Sequence, residues 1–239
     1  MTDDSLLRRA ADLWEGLAAG SAAFPAPGAA AVVVSPRSGL CPPGWVGLLT
    51  LGGAVLATAP DARRVDLLRT ALRSRPEAAR DTALLRAALP VGRILGPAAL
   101  TYLAPDALEP AAPAPGAVRR LPPHHPALRE LAAGVTEEER DEADLGDITS
   151  PAFAVLCGER VLAACGYRTW PYRTAQFSVL TAPDARGRGL ARTAAAAAAA
   201  HALAAGLLPQ WRARVPASRR IAARLGFREL GTQLSVELP

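Results

Sequence analysis

Residues 174–191, TAQFSVLTAPDARGRGLA, decide how this chain is read, because they lead directly into the alanine-rich segment ARTAAAAAAAHALAAG that starts at Ala191. Residues 176–181 read as a strand, since Phe177, Val179 and Leu180 suit a pleated surface and Pro183 ends the segment. Arg186-Gly187-Arg188-Gly189 then turns tightly, and the run that follows has the best helix-forming composition in the protein. A strand that passes through a glycine turn into a helix presents unpaired backbone N–H groups and the positive end of a helix dipole. Together these bind anions. Arg186, Arg188 and Arg192 add formal charge, so the expected ligand carries phosphate groups.

Two familiar phosphate loops fail on the residues. A Walker loop needs Gly-Lys-Ser/Thr, and the chain contains no lysine. A dinucleotide fingerprint needs a third glycine where Arg192 stands, and an acid on the following strand, where none is found around Trp211. The spacing that matches is Arg/Gln-x-x-Gly-x-Gly/Ala, met by Arg186, Gly189 and Ala191. This resembles the acyl-CoA loop of the GNAT N-acetyltransferase superfamily. Upstream, Val179-Leu180-Thr181-x-Pro183 looks like that family's central strand; downstream, ASRRIAARLGF from Ala217 looks like its last helix with a closing Gly-Phe. Between them, GLLPQW at 206–211 resembles a segment of one GNAT branch. The resemblance is specific over about residues 150–230, looser over 118–149, and does not reach the first hundred residues.

Composition narrows the function classes. At 239 residues the chain has length for one large domain or two modest ones. All 27 basic residues are arginine, which excludes a lysine nucleophile or Schiff base. Net charge is +1 over residues 1–116, −4 over 117–149 and +8 over 150–239, so the positive part coincides with the proposed phosphate loop. The arginines are spread without a DNA-binding motif or basic-aromatic stripe, which argues against nucleic acid. The start, MTDDSLLRRAADLW, has no apolar signal core, and 194–208 is too short and too alanine-rich to span a membrane. The expected location is the cytoplasm. Cys41, Cys157 and Cys165 fit a reducing compartment without a disulfide, and the adjacent His124 and His125 have poor spacing for a metal. No metal is expected.

The Pro/Ala stretch EPAAPAPGA at 109–117 reads as a linker between an N-terminal domain, 1–108, and a C-terminal domain, 118–239. In the first, helices are expected at 5–17, 61–72 and 81–89, and strands at 30–34, 46–51, 54–58 and within 91–103. Its strand and helix order allows a degenerate second copy of the acyltransferase topology; a capping or dimerising domain, with a homodimer as the assembly, explains it equally well. In the second, short helices at 126–133 and 137–145 precede a hairpin of 153–157 with 161–168. The strand 175–181, the loop and the long helix follow, then a strand at Trp211, a helix from Ser218 and a strand at 229–238. The fold class is α+β: a mixed, mostly antiparallel sheet flanked by helices, preceded by a smaller α+β domain.

The resemblance implies transfer of an acetyl group from acetyl-CoA, as co-substrate, to an amine of a small molecule or peptide. It implies a pyrophosphate on the N–H groups of Gly187, Arg188, Gly189, Leu190 and Ala191, with Arg186 and Arg192 beside it. Val179, Leu180 and Thr181 would hold the pantetheine and thioester carbonyl through their main chain, with Ser218 at the start of the last helix. Family members often carry an acid tyrosine at about Ala222, an asparagine at about Val215 and a glutamate base at about Gln176; all three are absent here. The substitute candidates are Glu142, Asp144, Gln176 and Tyr172, with Asp147, Tyr167 and Ser178 as neighbours that line the site or relay water. A non-catalytic acyl-CoA-binding module that has lost its acid and base is the alternative.

Overall fold

In the computed structural model, which describes residues 3–20, 22–110 and 118–239, several strands, among them β2 and β3, coincide with aliphatic runs set off by Gly or Pro. The order is α1 (Asp3–Leu17), β1 (Ala30–Val34), β2 (Val46–Leu51), β3 (Ala54–Ala59), α2 (Ala62–Ser74), α3 (Thr82–Ala88) and β4 (Ile94–Tyr102). After the linker come β5 (Val118–Leu121), α4 (Pro126–Ala133), α5 (Glu137–Ala143), β6 (Ala152–Cys157), β7 (Arg160–Trp170) and β8 (Thr174–Thr181). Then follow α6 (Leu190–Ala204), β9 (Leu208–Ala213), α7 (Pro216–Arg224) and β10 (Arg228–Val236). The class is α+β, with a mixed and mostly antiparallel set of strands flanked by helices.

The chain folds as two units. One gathers the residues up to Thr101 with Ala213–Val215 and Glu229–Pro239. Its strands lie in the order β1-β3-β2-β10-β4. The parallel pair β1–β3 and the β2–β3 hairpin, closed by Gly52 and Gly53, are covered by α2, which buries Val65, Leu68 and Leu72 against the sheet. The division expected at 109–117 leaves everything after 118 in one domain. Residues 229–239 instead cluster with the N-terminal part, because β10 pairs antiparallel with β2 from Gly231↔Leu51 to Val236↔Val46. Residues 111–117 of the expected linker lie outside the described residues.

The other unit comprises Tyr102–Arg212 and Pro216–Arg228. Its strands run β9-β8-β7-β6-β5, antiparallel throughout except for the parallel pair β8–β9. β5 is unforeseen in the sequence, being four residues, two of them arginine. The β6–β7 hairpin turns at Gly158-Glu159 with Cys157 opposite Arg160, and Cys41, Cys157 and Cys165 are free thiols. α6 buries Ala194, Ala195, Ala198, Ala199 and Ala202, so its backbone approaches the sheet closely. Under it, Phe177 on β8, Trp211 on β9 and Phe227 after α7 form an aromatic cluster with centroids 5.6–6.1 Å apart. The Gly226-Phe227 ending has a steric cause: at φ +89, a Cβ on Gly226 would lie 1.9 Å from the Ala107 carbonyl oxygen.

Candidate acyl-CoA site

β8 ends at Thr181, and a single 3-10 turn at Pro183–Ala185 carries the chain to Arg186, Gly187, Arg188 and Gly189, all exposed. Gly187 and Gly189 have φ +75 and +77, a region open to glycine without strain, and nothing stands within 4 Å of the position of a Cβ on either. Gly189 is the N-cap of α6 and offers no side chain to it. The first N–H groups of a helix have no intrahelical partner, and among the described residues no side chain caps this end of α6. Two acids lie close by, and each is held by an arginine. Arg160 grips Asp184 with two 2.7 Å hydrogen bonds, which hold the Asp184 carboxyl below the usual range. Arg186 Nη2 lies 2.8 Å from Glu139 Oε1 on α5. Arg192, in the first turn of α6, donates to the Pro110 carbonyl at 2.7 Å, while its Nε is buried without a partner.

The second feature is where the β8–β9 ladder stops. Pairing runs only through Thr174↔Leu208, Ala175↔Pro209 and Gln176↔Gln210, although β8 continues to Thr181 and β9 to Ala213. Beyond Gln176 the main chain of Val179, Leu180 and Thr181 has no ladder partner on that side, so its N–H and C=O groups there lie outside the β8–β9 ladder. The Gln210 carboxamide spans the end of the ladder and donates to Gln176 Oε1 at 2.7 Å. Gln176 in turn donates to the Phe177 carbonyl.

The two faces of β8 differ in kind. Tyr167 and Phe177, opposite each other in the register, stack on the α6 side, where Tyr167 Oη lies 2.9 Å from His201 Nδ1. On the other face, period-two alternation gathers Arg168, Gln176 and Ser178, with Gln210 and Arg212 from β9. α5 packs on this strand. Its C-cap, Asp144, is a non-glycine residue in the left-handed region (φ 47, ψ 40), and its carbonyl accepts the Ser178 hydroxyl at 3.2 Å. The Asp144 carboxyl is raised above the ordinary range by loss of hydration and next by the charge of Asp147, although the residue as a whole is exposed. Asp147 itself pairs with Arg168 at 2.8 Å.

The sequence-predicted residues therefore divide. Arg186, Gly187, Arg188, Gly189, Leu190, Ala191 and Arg192 form one continuous turn, with Leu190 buried beneath it, and Val179, Leu180 and Thr181 lead into it. Ser218, on α7, accepts a 2.9 Å hydrogen bond from Trp211 Nε1. Among the catalytic candidates, Asp144 is tied to β8 and Gln176 is at the end of the ladder, whereas Tyr172 sits in the β7–β8 turn at the opposite end of β8 from the loop. The eight residues of β8, seven steps from Thr174 to Thr181, separate that turn from the loop by about 23 Å. Tyr167 faces α6, and burial raises the Cys165 thiol, so neither belongs to the polar face. The Arg186–Glu139 pair, across 47 positions, and the Gln176–Gln210 pair, across 34, left no mark in the sequence. Among the described residues no cluster of His, Cys, Asp and Glu has the makings of a metal site, and no helix is long and apolar enough to cross a membrane.

The exposed N-terminus of α6 and the interrupted β8–β9 pair both fall within the segment that resembles a known family. Residues 150–232 match the family model of GNAT acetyltransferase, which establishes the resemblance for this segment and points to acyl transfer. Solved structures that resemble the chain include an acetyltransferase of the GNAT family from Novosphingobium aromaticivorans (25% identity, 60% of this chain and 66% of that one, just under two thirds, TM-score 0.47). A GCN5-related N-acetyltransferase-like protein from Streptococcus suis aligns over 98% of this chain and 99% of its own at 16% identity and TM-score 0.49. A tandem GNAT protein of the clavulanic acid biosynthesis pathway aligns over 100% and 97% at 16% identity and TM-score 0.47. No curated protein matches the chain.

Proposed function

We propose that this protein transfers an acetyl group from acetyl-CoA to an amine by direct attack on the thioester. The observation that carries the reading is the uncapped, exposed N-terminus of α6 at Gly189, lying at the end of the strand whose ladder with β9 stops at Gln176↔Gln210. The N–H groups of Gly187 to Ala191 take the pyrophosphate, with Arg186, Arg188 and Arg192 supplying charge. The main chain of Val179 to Thr181, paired with β7 but open on the β9 side, takes the pantetheine and polarises the thioester carbonyl; stabilising the developing oxyanion in this way is usually the largest source of acceleration in acyl transfer. The amine enters over the polar face, where Asp144 accepts its proton; the new C–N bond forms, the C–S bond breaks, and the thiolate takes a proton from water. A carboxylate of raised pKa is a better base for this step than an ordinary one. The reaction uses no metal and takes place in the cytoplasm on a small-molecule or peptide amine, with no nucleic acid or membrane involved.

A second reading is kept by one observation: the positions at which the family resemblance implies an acid tyrosine, an asparagine and a base glutamate hold Ala222, Val215 and Gln176, and Ala222 is fully buried. An acyl-CoA-binding module without turnover has the same loop. Calorimetric titration with acetyl-CoA, beside Gly189→Trp, is the first test: micromolar binding that the variant loses supports the ligand, and no binding in either refutes both readings. Amine-dependent release of free CoA thiol then separates enzyme from sensor.

A further inference from the structure

The phosphate-loop arginine is already engaged. Arg186 Nη2 lies 2.8 Å from Glu139 Oε1, with both side chains roughly half accessible to water. Glu139 is not a loose surface acid. It is the third residue of α5 and completes a capping box: its Oε2 accepts the Thr136 N–H at 3.2 Å, and its own N–H donates to Thr136 Oγ1 at 3.2 Å. One carboxylate thus closes the N-terminus of α5 with one oxygen and holds Arg186 with the other. Seven residues long, α5 is too short to persist on its own hydrogen bonds. Its other end, Asp144, is fixed to β8 through Ser178. The same short helix therefore touches the phosphate loop at its start and the polar face of β8 at its end.

We propose that Glu139 is a displaceable counter-ion for Arg186, so that acyl-CoA and α5 compete for the same guanidinium and loading of acyl-CoA releases the N-terminal end of α5. This rests on the assignment of the loop to acyl-CoA. A phosphate carries more charge than a carboxylate and accepts the planar guanidinium fork as well, so it wins Arg186 when it arrives. The exchange breaks the ion pair and leaves the capping box, which is local to α5. The far end of the helix stays attached to β8 through the Ser178 hydroxyl on the Asp144 carbonyl, so the change is confined to the N-terminal end.

The test is a four-member set titrated with acetyl-CoA: the unaltered protein, Glu139→Gln, Arg186→Ala and the double variant. Glutamine keeps the capping box and loses the charge. An exposed pair contributes about 0.2–1 kcal/mol, so Glu139→Gln is expected to bind acetyl-CoA roughly 1.5- to 5-fold more tightly. In the Arg186→Ala background the same change is expected to have no effect. Hydrogen exchange supplies a second readout: amides of residues 137–143 exchange faster when acetyl-CoA is added to the unaltered protein. Affinity that is unchanged or weaker in Glu139→Gln, or a gain that persists without Arg186, overturns the competition while leaving the loop assignment intact. Failure of acetyl-CoA to bind any member overturns both.

Discussion

Two strand-to-helix junctions in this molecule start alike and end differently. At β3–α2 the N-cap is Asp61, whose carboxylate accepts the Arg64 N–H at 2.9 Å and pairs with the Arg64 guanidinium. The backbone and the charge of that helix end are satisfied from within. At β8–α6 the N-cap is Gly189 in a left-handed conformation, with no side-chain cap, open space in front of it and three arginines nearby. One junction is capped by a side chain of its own, and the other is not. The helices differ in the same sense: α2 packs through Val65, Leu68 and Leu72, whereas α6 packs through alanines that bring its backbone, and hence its N-terminus, close to the sheet. The family match falls on the second junction and excludes the first.

Exchanging the caps puts this contrast to its most severe test. Gly189→Asp places a carboxylate where the phosphate is expected, and acetyl-CoA affinity should fall by about 100-fold or more, read by calorimetry; aspartate is among the residues that tolerate this backbone region. The reciprocal Asp61→Gly should bare α2 without creating acetyl-CoA binding, since no glycine turn or strand gap accompanies it. Ala198→Leu tests the close approach of α6. Overpacking should cost about 1–3 kcal/mol in denaturant unfolding and weaken acetyl-CoA binding through displacement of the helix N-terminus.

A subtler change is expected at Asp144. Its folded pKa is raised, so the folded state binds the proton more tightly than the unfolded state, and stability falls as pH rises from the unfolded value, about 3.9, through the folded one. Asp144→Asn removes this dependence. Its thermal midpoint relative to the unaltered protein should therefore be more favourable at neutral pH, and the advantage should shrink on acidification. An advantage independent of pH would mean that the carboxyl is not desolvated.

Local signals carried much of this molecule and long-range ones did not. The helices expected at 61–72, 81–89 and 137–145, most of the strands and the glycine turn are each specified by adjacent residues, and the structure has them within a few positions of the expected places. The partner of β10 is not specified in that way: GTQLSV at 231–236 states a strand but not whether β2 or a C-terminal strand receives it. The candidate site divides along the same line. Its loop is contiguous and legible, while Glu139, Gln210 and the attachment of Asp144 to Ser178 depend on tertiary approach.

The placement of β10 bears on how the protein is made. Because β10 lies between β2 and β4, the unit built mainly from the first hundred residues lacks an interior strand until residues 228–236 have been synthesised. At about 5–20 residues per second, the ribosome takes on the order of ten seconds to travel from the end of β4 to the end of β10. Throughout that interval β2 and β4 have open edges, and the second unit can form before the first is closed. Cutting the gene at the linker would produce one fragment with a gap in its sheet and another with a strand that has lost its place.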